Sequence, residues 1–409
     1  MAAVAHDGLA RRLGQRIDCY RGEMLRLTSQ LVRVPTENPP GVRYQECAEV
    51  LRRELVGIGL PVEVIAAPEE RLVLRAFHPA GDGNGPTLYF HGHYDVVPAQ
   101  SRLQFEPAVR KDCLFGRGSA DMKGGLAAMI YAVRALADCG VTRGGRIGLV
   151  LVPDEETGGR HGSGSLAERG LLGARGIGML TAEPTGGAIW NACRGALSLR
   201  VRLKGRQAHV GLHYRGVNAF EHAMPVAAAL LDLKREVEAR RTAYRIEPEA
   251  ARGSILMLGG EAGTGNGANF NVVPGEFSFT LERRLNPEED LGEEKARLFG
   301  LLDRLRREGH DLEVEVVQEG AAAGVPEDAP LARCLAASVE EVTSRPAAFA
   351  MCPGLLEIRF YAAAGVPALA YGPGLLSVAH GPDEFVRLGD LRDCALVYAL
   401  TAARLLGGA

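Results

Sequence analysis

The stretch LYFHGHYDVVP, residues 88–98, decides the class of fold. It begins as an uninterrupted apolar run and ends in histidine and aspartate, a pattern typical of a buried strand that stops at the functional edge of a sheet. Further short apolar runs occupy residues 62–65, 72–77, 147–152 and 178–181. We interpret all of them as buried strands.

A helical pattern alternates with these strands. Residues 124–139 place one apolar stripe at helical spacing, and 23–32 and 44–55 show the same periodicity. Buried strands that alternate with helices predict an α/β domain with mostly parallel strands and helices on both faces. Functional side chains in such a domain gather at the carboxyl ends of the strands.

The pattern of apolar and polar residues changes in the middle of the chain. Residues 196–203 and 276–281 alternate apolar and polar like antiparallel strands with one solvated face, and 219–240 reads as a long amphipathic helix. This pattern predicts a smaller α+β domain inserted into the larger one. The predicted boundaries are 1–190 and 306–409 for the larger domain and 191–305 for the insertion.

Composition excludes several classes of protein. The 47 Lys and Arg residues against 50 Asp and Glu leave a net charge of -3, which argues against a nucleic-acid partner. No apolar window is long enough to predict a membrane span, and the first residues lack the apolar core of a secretory signal. The eight cysteines form no C-x-x-C pair, so we expect reduced thiols and a cytoplasmic protein.

Three side chains in the opening stretch carry potential chemistry. His93 and Asp95 are two residues apart, so they point the same way where the chain leaves the strand. An imidazole can bind a metal ion, and a nearby carboxylate can fix its tautomer. His91 shares that face, and we interpret it as a hydrogen-bonded histidine within the strand.

Carboxylates recur at other strand ends. Asp121 precedes the helix 124–139 inside GRGSADMKGG, where an N-cap role is the simplest alternative although glycines on both sides argue for more. The motif PDEETGG, residues 153–159, leaves an apolar strand and puts three acids in a row, which need either solvent or a cation. Glu183 follows another strand in the same way.

A second histidine, His380, lies in a loop rich in glycine and proline after the apolar strand 368–371. Two histidines and several carboxylates, all at strand ends, form a ligand set suited to a pair of divalent ions. Zinc is the first expectation, and cobalt or manganese would also fit oxygen-rich coordination.

The order and spacing of these motifs resemble the metallopeptidase family that contains acetylornithine deacetylase, succinyl-diaminopimelate desuccinylase, aminoacylase and carboxypeptidase G. The matching strings, spread over residues 92–385, are GHYDVVP, GRGSADMKGG, PDEETGG, TAEPT and VAHGPDEF. Within the insertion, GRQAHVGLHYRGVNAF (205–220) resembles the family's lid histidine motif. NVVPGEFSFTLERR (271–284) resembles its Asn and Asp-x-Arg segment.

The resemblance implies a complete dinuclear centre. In it Asp121 bridges two metal ions, His93 and Glu183 complete one position, and Glu156 and His380 complete the other. It also implies a cis peptide bond after the bridging aspartate, between residues 121 and 122.

Catalytic roles follow from the same resemblance. Asp95 would orient His93, and Glu155 would be the general base that takes a proton from water and returns it to the leaving nitrogen. His209 would contact the oxyanion from the partner subunit of a homodimer formed by the inserted domain; a surface histidine is the alternative. The implied reaction is hydrolysis of an amide bond in a small carboxylate-bearing molecule.

The residues expected to bind substrate depart in part from the family pattern. Asn271 and Arg284 are the candidates for a substrate carboxylate, although Arg284 could instead pair with Glu282, which replaces the family's aspartate.

The segment PGLLEIRF, 353–360, replaces the family's hydroxyl-rich substrate loop and puts Gly354, Leu355 and Leu356 at the substrate. Fewer hydrogen-bond donors and two added isobutyl groups favour a flatter or more apolar substrate, including aromatic ones.

Two other functions compete with amide hydrolysis. The same site could deaminate an aromatic or xenobiotic amine by hydrolysis, or open a cyclic amide. An inactive binding protein is the more remote alternative. It would be expected to lack a ligand or the base, yet the chain retains His93, Asp121, Glu155, Glu156, Glu183 and His380.

Overall fold

The computed structural model describes residues 2–78, 85–141, 144–264 and 269–407. The chain divides into two compact units. The larger comprises Met1–Asn191, Val325–Ala350 and Phe360–Ala409, and the smaller comprises Ala192–Gly324 and Met351–Arg359. The sequence pattern put the end of the insertion at residue 305. The smaller unit extends further, because the strand of residues 312–320 also pairs with its sheet.

The elements of the first part of the chain build most of the larger unit. Its helices are α1 (Ala2–Cys19), α2 (Arg21–Val32), α3 (Tyr44–Gly57), α4 (Gly124–Cys139) and α5 (Ser165–Glu168). Its strands are β1 (Val62–Ala66), β2 (Leu72–His78), β3 (Thr87–His93), β4 (Ala108–Arg110), β5 (Cys113–Phe115), β6 (Arg146–Val152), β7 (Gly176–Thr181) and β8 (Ile189–Cys193).

The rest of the chain completes both units. The middle elements are β9 (Gly195–Lys204), β10 (Ala208–His209), α6 (Ala219–Glu238), β11 (Ile255–Gly263), β12 (Val272–Val273), β13 (Glu276–Leu285), α7 (Leu291–Arg307), β14 (Leu312–Gly320) and β15 (Ala323–Gly324). The last are α8 (Pro330–Thr343), β16 (Phe349–Cys352), α9 (Ile358–Ala363), β17 (Ala368–Ala370), β18 (Phe385–Arg387) and α10 (Leu388–Leu406).

The main sheet of the larger unit has the strand order β1-β2-β6-β3-β7-β17-β8. The four central strands β6, β3, β7 and β17 run parallel to one another, whereas β1, β2 and β8 pair antiparallel with their neighbours. The predicted, mostly parallel sheet is therefore confirmed. Its four central strands bring their carboxyl ends to the same edge.

Strand β3 is buried along its whole length because helices cover both of its faces. Phe90 packs against Tyr398 of α10, with ring centroids 5.7 Å apart. Tyr89, which points to the opposite face, packs against Tyr361 of α9 at 5.5 Å. Helices on both faces were predicted from the continuous apolar pattern, since a strand buried on both sides has no solvated face.

The sheet of the smaller unit is antiparallel, in the order β11-β13-β9-β14. Leu199 and Val201 of β9 face a core shared with α6 and α7, whereas Arg200 between them points outward and pairs with Glu315 of β14. This alternation confirms the prediction of one buried and one solvated face. No helix in the described parts of the chain is both long and apolar enough to cross a membrane.

Candidate metal centre

Five side chains converge at the carboxyl edge of the parallel strands. His93 is the last residue of β3, Glu156 follows β6, and Glu183 follows β7. His380 comes from the loop after β17, and Asp121 comes from the turn that precedes α4. The convergence follows from topology, because neighbouring parallel strands all end at one edge of the sheet.

Asp121 lies between two clusters of ligand atoms. Its Oδ1 is 3.2 Å from Nε2 of His93, which is also 4.0 Å from Oε1 of Glu183. Its Oδ2 is 3.2 Å from Nε2 of His380, which is 3.3 Å from Oε2 of Glu156. In each cluster the three ligand atoms lie within 4.8 Å of one another. One carboxylate therefore faces both clusters, each with one oxygen.

The centre concentrates negative charge away from solvent. Although burial lowers the pKa of His93, hydrogen bonds to Asp121 and Asp95 outweigh it and raise that pKa well above its usual value. Hydrogen bonds to Asp121 and Glu156 raise the pKa of His380 to about 10. The carboxylates around them thus draw both histidines toward the charged form.

Glu156 provides an independent indication of a cation. Burial raises the pKa of its carboxyl group, and its Oε1 is buried without a hydrogen-bond partner among the described residues. An acceptor oxygen left unpaired in a buried acidic cluster is unfavourable unless a cation binds it. Imidazole nitrogens and carboxylate oxygens are ligands that zinc and similar divalent ions accept, so the residues fit such ions.

Asp95 holds residues of the centre in place without belonging to either ligand cluster. Its Oδ1 lies 3.3 Å from Nδ1 of His93 and accepts the backbone N–H of Glu155 at 3.2 Å, and its Oδ2 accepts that of Glu156 at 3.1 Å. Because Nδ1 of His93 faces Asp95, Nε2 is the ring atom available to a cation. One carboxylate therefore orients a candidate ligand and the turn that carries the candidate base.

Two aspects of Asp121 were predicted in advance, with different outcomes. The Asp121–Met122 peptide bond is cis, as the family resemblance implied. The N-cap alternative is wrong, because α4 has Lys123 at its N-cap without any side-chain capping bond, and the Asp121 carboxylate contacts the two histidines instead.

His91 has the structural role predicted for it. The residue is fully buried, its Nδ1 lies 3.2 Å from the hydroxyl of Tyr361, and its Nε2 lies 3.3 Å from the hydroxyl of Ser163. Both ring nitrogens are therefore engaged within the larger unit. His91 remains outside the two ligand clusters although it is only two residues from His93.

Two glycines allow the backbone to close around Glu183. A Cβ at Gly125 would lie 2.5 Å from Cβ of Ala182, and one at Gly372 would lie 2.3 Å from the carbonyl group of the same residue. Any side chain there would collide with the segment that ends at Glu183. Helix α4 and the loop after β17 can therefore approach this ligand closely.

Sequence reasoning missed several buried polar residues around the centre. Asp154 accepts the backbone N–H groups of His161 and Gly162 at 2.7 and 2.8 Å, which folds the loop after Glu155 and Glu156. The other missed residues are Asn38, Arg117 and Glu384. The only sequence signal was their position beside the motif glycines and prolines, because their partners are distant in the chain.

The remaining predicted residues belong to the smaller unit. His209 is exposed in β10, and its Nδ1 accepts the N–H of Gly211 at 3.1 Å, so the proton of the neutral ring is on Nε2. Asn271 is also exposed and lies close by, because its carbonyl accepts the N–H of Val210 at 2.7 Å. The fold thus brings these two residues together.

Arg284 and the leucine segment are more constrained. Nε of Arg284 lies 2.5 Å from Oε1 of Glu282, which is the ion pair considered as its structural alternative. Leu355 is partly exposed, whereas Leu356 is buried and its carbonyl accepts a hydrogen bond from Arg359 at 2.8 Å. Gly354 is partly exposed.

Residues 89–404 match the family model described as peptidase family M20/M25/M40. The chain belongs to this family. It is 31% identical over 398 residues to a succinyl-diaminopimelate desuccinylase from Ectopseudomonas mendocina, covering 93% of this chain and 98% of that protein. A protein of the same name from Nitrosomonas eutropha is 30% identical over 377 residues, covering 88% and 93% of the two chains.

Solved structures share the fold at lower identity. An M20 family metallo-carboxypeptidase from Sulfolobus solfataricus superposes with a TM-score of 0.77 at 17% identity, covering 94% of this chain and 99% of that one. The dipeptidase Dug1p from Saccharomyces cerevisiae gives 0.75 at 16% identity, covering 98% and 99%.

Membership of this M20/M25/M40 family establishes the class of reaction. The protein is a metal-dependent hydrolase of carbon–nitrogen bonds, and it acts on amides of small carboxylate-bearing molecules, as the motifs predicted. Deamination or ring opening of an aromatic amine is not favoured by these relatives.

Proposed function

We propose that the candidate centre holds two divalent metal ions and that Glu155 is the general base of amide hydrolysis. The proposal depends above all on Asp121, whose two carboxylate oxygens each face a separate histidine at 3.2 Å. His93 and Glu183 would complete one metal position, and Glu156 and His380 the other. When bound, the two ions would supply a nucleophilic water at neutral pH and polarise the scissile carbonyl.

Glu155 would move the proton during this reaction. It begins the turn after β6, is partly exposed, and has its backbone N–H fixed by Asp95, so its carboxylate can reach solvent beside the buried Glu156. It would accept a proton from the attacking water and donate it to the leaving nitrogen. His209 would add a hydrogen bond from Nε2–H to the developing oxyanion.

We propose zinc as the physiological metal, with cobalt or manganese as functional substitutes. Each position combines one imidazole with two carboxylates. This mixed nitrogen and oxygen set is borderline between the preferences of zinc and those of harder ions.

We propose that Asn271 and Arg284 bind a carboxylate of the substrate, and that Gly354, Leu355 and Leu356 contact its acyl part. The support is the exposed side chain of Asn271, the partly exposed guanidinium of Arg284 and the loss of hydroxyl donors at the leucines. These features favour an amide with a flat or apolar substituent. They disfavour a polar compound such as the succinyl-diaminopimelate for which the desuccinylase relatives are named.

A homodimer formed by the smaller unit is part of the proposal. The face of α6 that carries Phe220, Met224 and Leu231 is exposed although apolar, and so are Ile255 and Met257 on the edge strand β11. An apolar helix face beside an unpaired strand edge is typical of an interface between subunits. His209 of one chain would then act in the site of its partner.

All eight cysteines are free thiols, which supports a cytoplasmic location.

A substrate panel tests this function directly. Metal-free protein reconstituted with zinc, cobalt or manganese would be assayed on N-acyl amino acids with small, aliphatic and aromatic acyl groups, on dipeptides, and on aryl amines. We expect two metal ions per chain and hydrolysis of acyl amino acids with a preference for apolar groups. Activity confined to aryl amines would contradict the proposal.

A further inference from the structure

We propose that a buried ion pair between Arg117 and Glu384 links the turn of Asp121 to the loop of His380, and so positions His380 as a ligand of one metal position, the one formed by Asp121, Glu156 and His380. The pair would set the affinity of that position separately from that of the other. This inference rests on the proposed dinuclear centre. Arg117 and Glu384 would be positioning residues, since neither is among the ligand atoms of the two clusters.

Glu384 fixes the backbone at the bridging aspartate. Its Oε1 accepts the N–H groups of Ala120 and Asp121 at 3.0 and 3.1 Å, and its Oε2 accepts Nη1–H of Arg117 at 2.6 Å. Its own carbonyl accepts the N–H of Gly116 at 2.9 Å. Glu384 thus holds both ends of the turn that delivers Asp121, one through its side chain and the other through its carbonyl. Charge-assisted bonds such as those of its carboxylate are short and strong.

Arg117 extends the same arrangement to His380. Its Nη2 donates to the carbonyl of His380 at 3.0 Å, and Nε2 of Gln100 donates to the same oxygen at 3.0 Å. Gln100 is in turn fixed, because its Oε1 accepts a second hydrogen bond from Arg117 at 3.0 Å. One guanidinium therefore links the loop of His380 to the turn of Asp121.

His380 needs this support more than the other ligands do. It has a φ of +64°, which is unfavourable for a residue with a Cβ, and half of its side chain is exposed. Two hydrogen bonds to its carbonyl stabilise that conformation. His93, in contrast, ends a fully buried central strand and faces Asp95, so its position does not depend on Arg117.

The asymmetry predicts a selective defect. In Arg117→Lys the ammonium group can still pair with Glu384, but it lacks the planar fork that reaches Glu384 and the His380 carbonyl together. We expect the position of His93 and Glu183 to keep its affinity. Affinity at the position of Glu156 and His380 should fall at least tenfold, because a displaced imidazole contributes less to binding.

Metal titration of the purified, metal-free full chain tests the inference. Zinc chloride binding would be followed by calorimetry, and cobalt chloride binding by visible absorption, which reports each coordination environment. Arg283→Lys is the matched control, because Arg283 is another buried arginine and pairs with Glu289 at 2.5 Å in the smaller unit. We expect the control to lower thermal stability and to leave both metal affinities unchanged.

Gln100→Ala is a second, milder test variant, which keeps the inference testable if Arg117→Lys fails to fold. It removes one donor to the His380 carbonyl without removing a buried charge, and should weaken the same position about threefold. If the wild-type protein binds two metal ions and neither Arg117→Lys nor Gln100→Ala changes a metal affinity, this inference is wrong and the dinuclear proposal stands. Wild-type protein that binds fewer than two metals would overturn the dinuclear proposal, and this inference with it.

Discussion

Asn38 donates a hydrogen bond from Nδ2 to Oδ2 of Asp95 at 2.9 Å, and the same amide group lies 2.9 Å from the hydroxyl of Thr157. Asp95 in turn contacts Nδ1 of His93 and the backbone of Glu155. An amide in the loop after α2 is therefore connected to a candidate ligand and to the candidate base.

Asn38→Leu should reduce turnover while metal remains bound. Loss of the amide removes one of the donors that hold Asp95 and leaves Thr157 without this partner, so the turn that carries Glu155 should become less ordered. Removing a partner of this type typically costs about 10–100-fold in metal affinity or activity. We expect the loss mainly in kcat; wild-type kcat with both metals bound would show that the contact is dispensable.

Glu155→Gln should separate catalysis from metal binding. The amide keeps the shape of the side chain but cannot accept and return a proton, so kcat should fall by about 10²–10⁴-fold. Metal content, measured on the same sample by elemental analysis, should stay at the wild-type value. Near-normal activity in Glu155→Gln would assign the base to another residue.

His209→Ala should lower kcat by about 10²-fold, the typical cost of losing one oxyanion donor, with little change in metal content. His213→Ala is the control, because His213 is exposed in the turn that directly follows β10. Equal rates for the two variants would leave His209 as a surface histidine.

Met224→Glu should convert a dimer into monomers. It places a charge in the exposed apolar face of α6, where Met224 is 44% exposed. Leu103→Glu is the control, since Leu103 is 69% exposed in the larger unit. Sedimentation velocity should show a mass change for the first variant only. A monomeric wild type, or a dimeric Met224→Glu, would contradict the proposed interface.

Acid should destabilise the smaller unit through Glu289. Burial raises the pKa of this carboxyl, but hydrogen bonds from Ser254, the N–H of Asn286 and Arg283 outweigh it and lower the pKa below its usual 4.5. A pKa that is lower in the folded state contributes stability above pH 4.5, which is lost as the pH falls through the folded value.

Glu289→Gln should remove part of that pH dependence. The variant cannot gain the proton, so its free energy of unfolding should change less between pH 5 and 3, while at pH 7 it should fall by about 1–3 kcal/mol because Arg283 loses a buried partner. Urea unfolding at several pH values measures both effects. An unchanged acid slope would show that Glu289 does not control it.

Local periodicity made the elements of the site predictable. Strand β3 and helix α4 have strong patterns, so both were located correctly, and the motifs around His93, Asp121 and His380 stood at the ends of recognisable elements. Helices α1 and α8 were not predicted. Both pack against α10 in the structure, which shows that they belong to the core. Their own residue patterns do not show this clearly.

The sequence by itself determined the α/β class, the smaller α+β insertion and the residues of the candidate centre, because these depend on local periodicity and on compact motifs. Only the tertiary structure decided which oxygen of Asp121 faces which histidine, that Leu356 is buried, and that β14 joins the smaller unit. It also paired Arg117 with Glu384, 267 residues away. Such pairs form when strand ends meet in space, and no local pattern encodes that meeting.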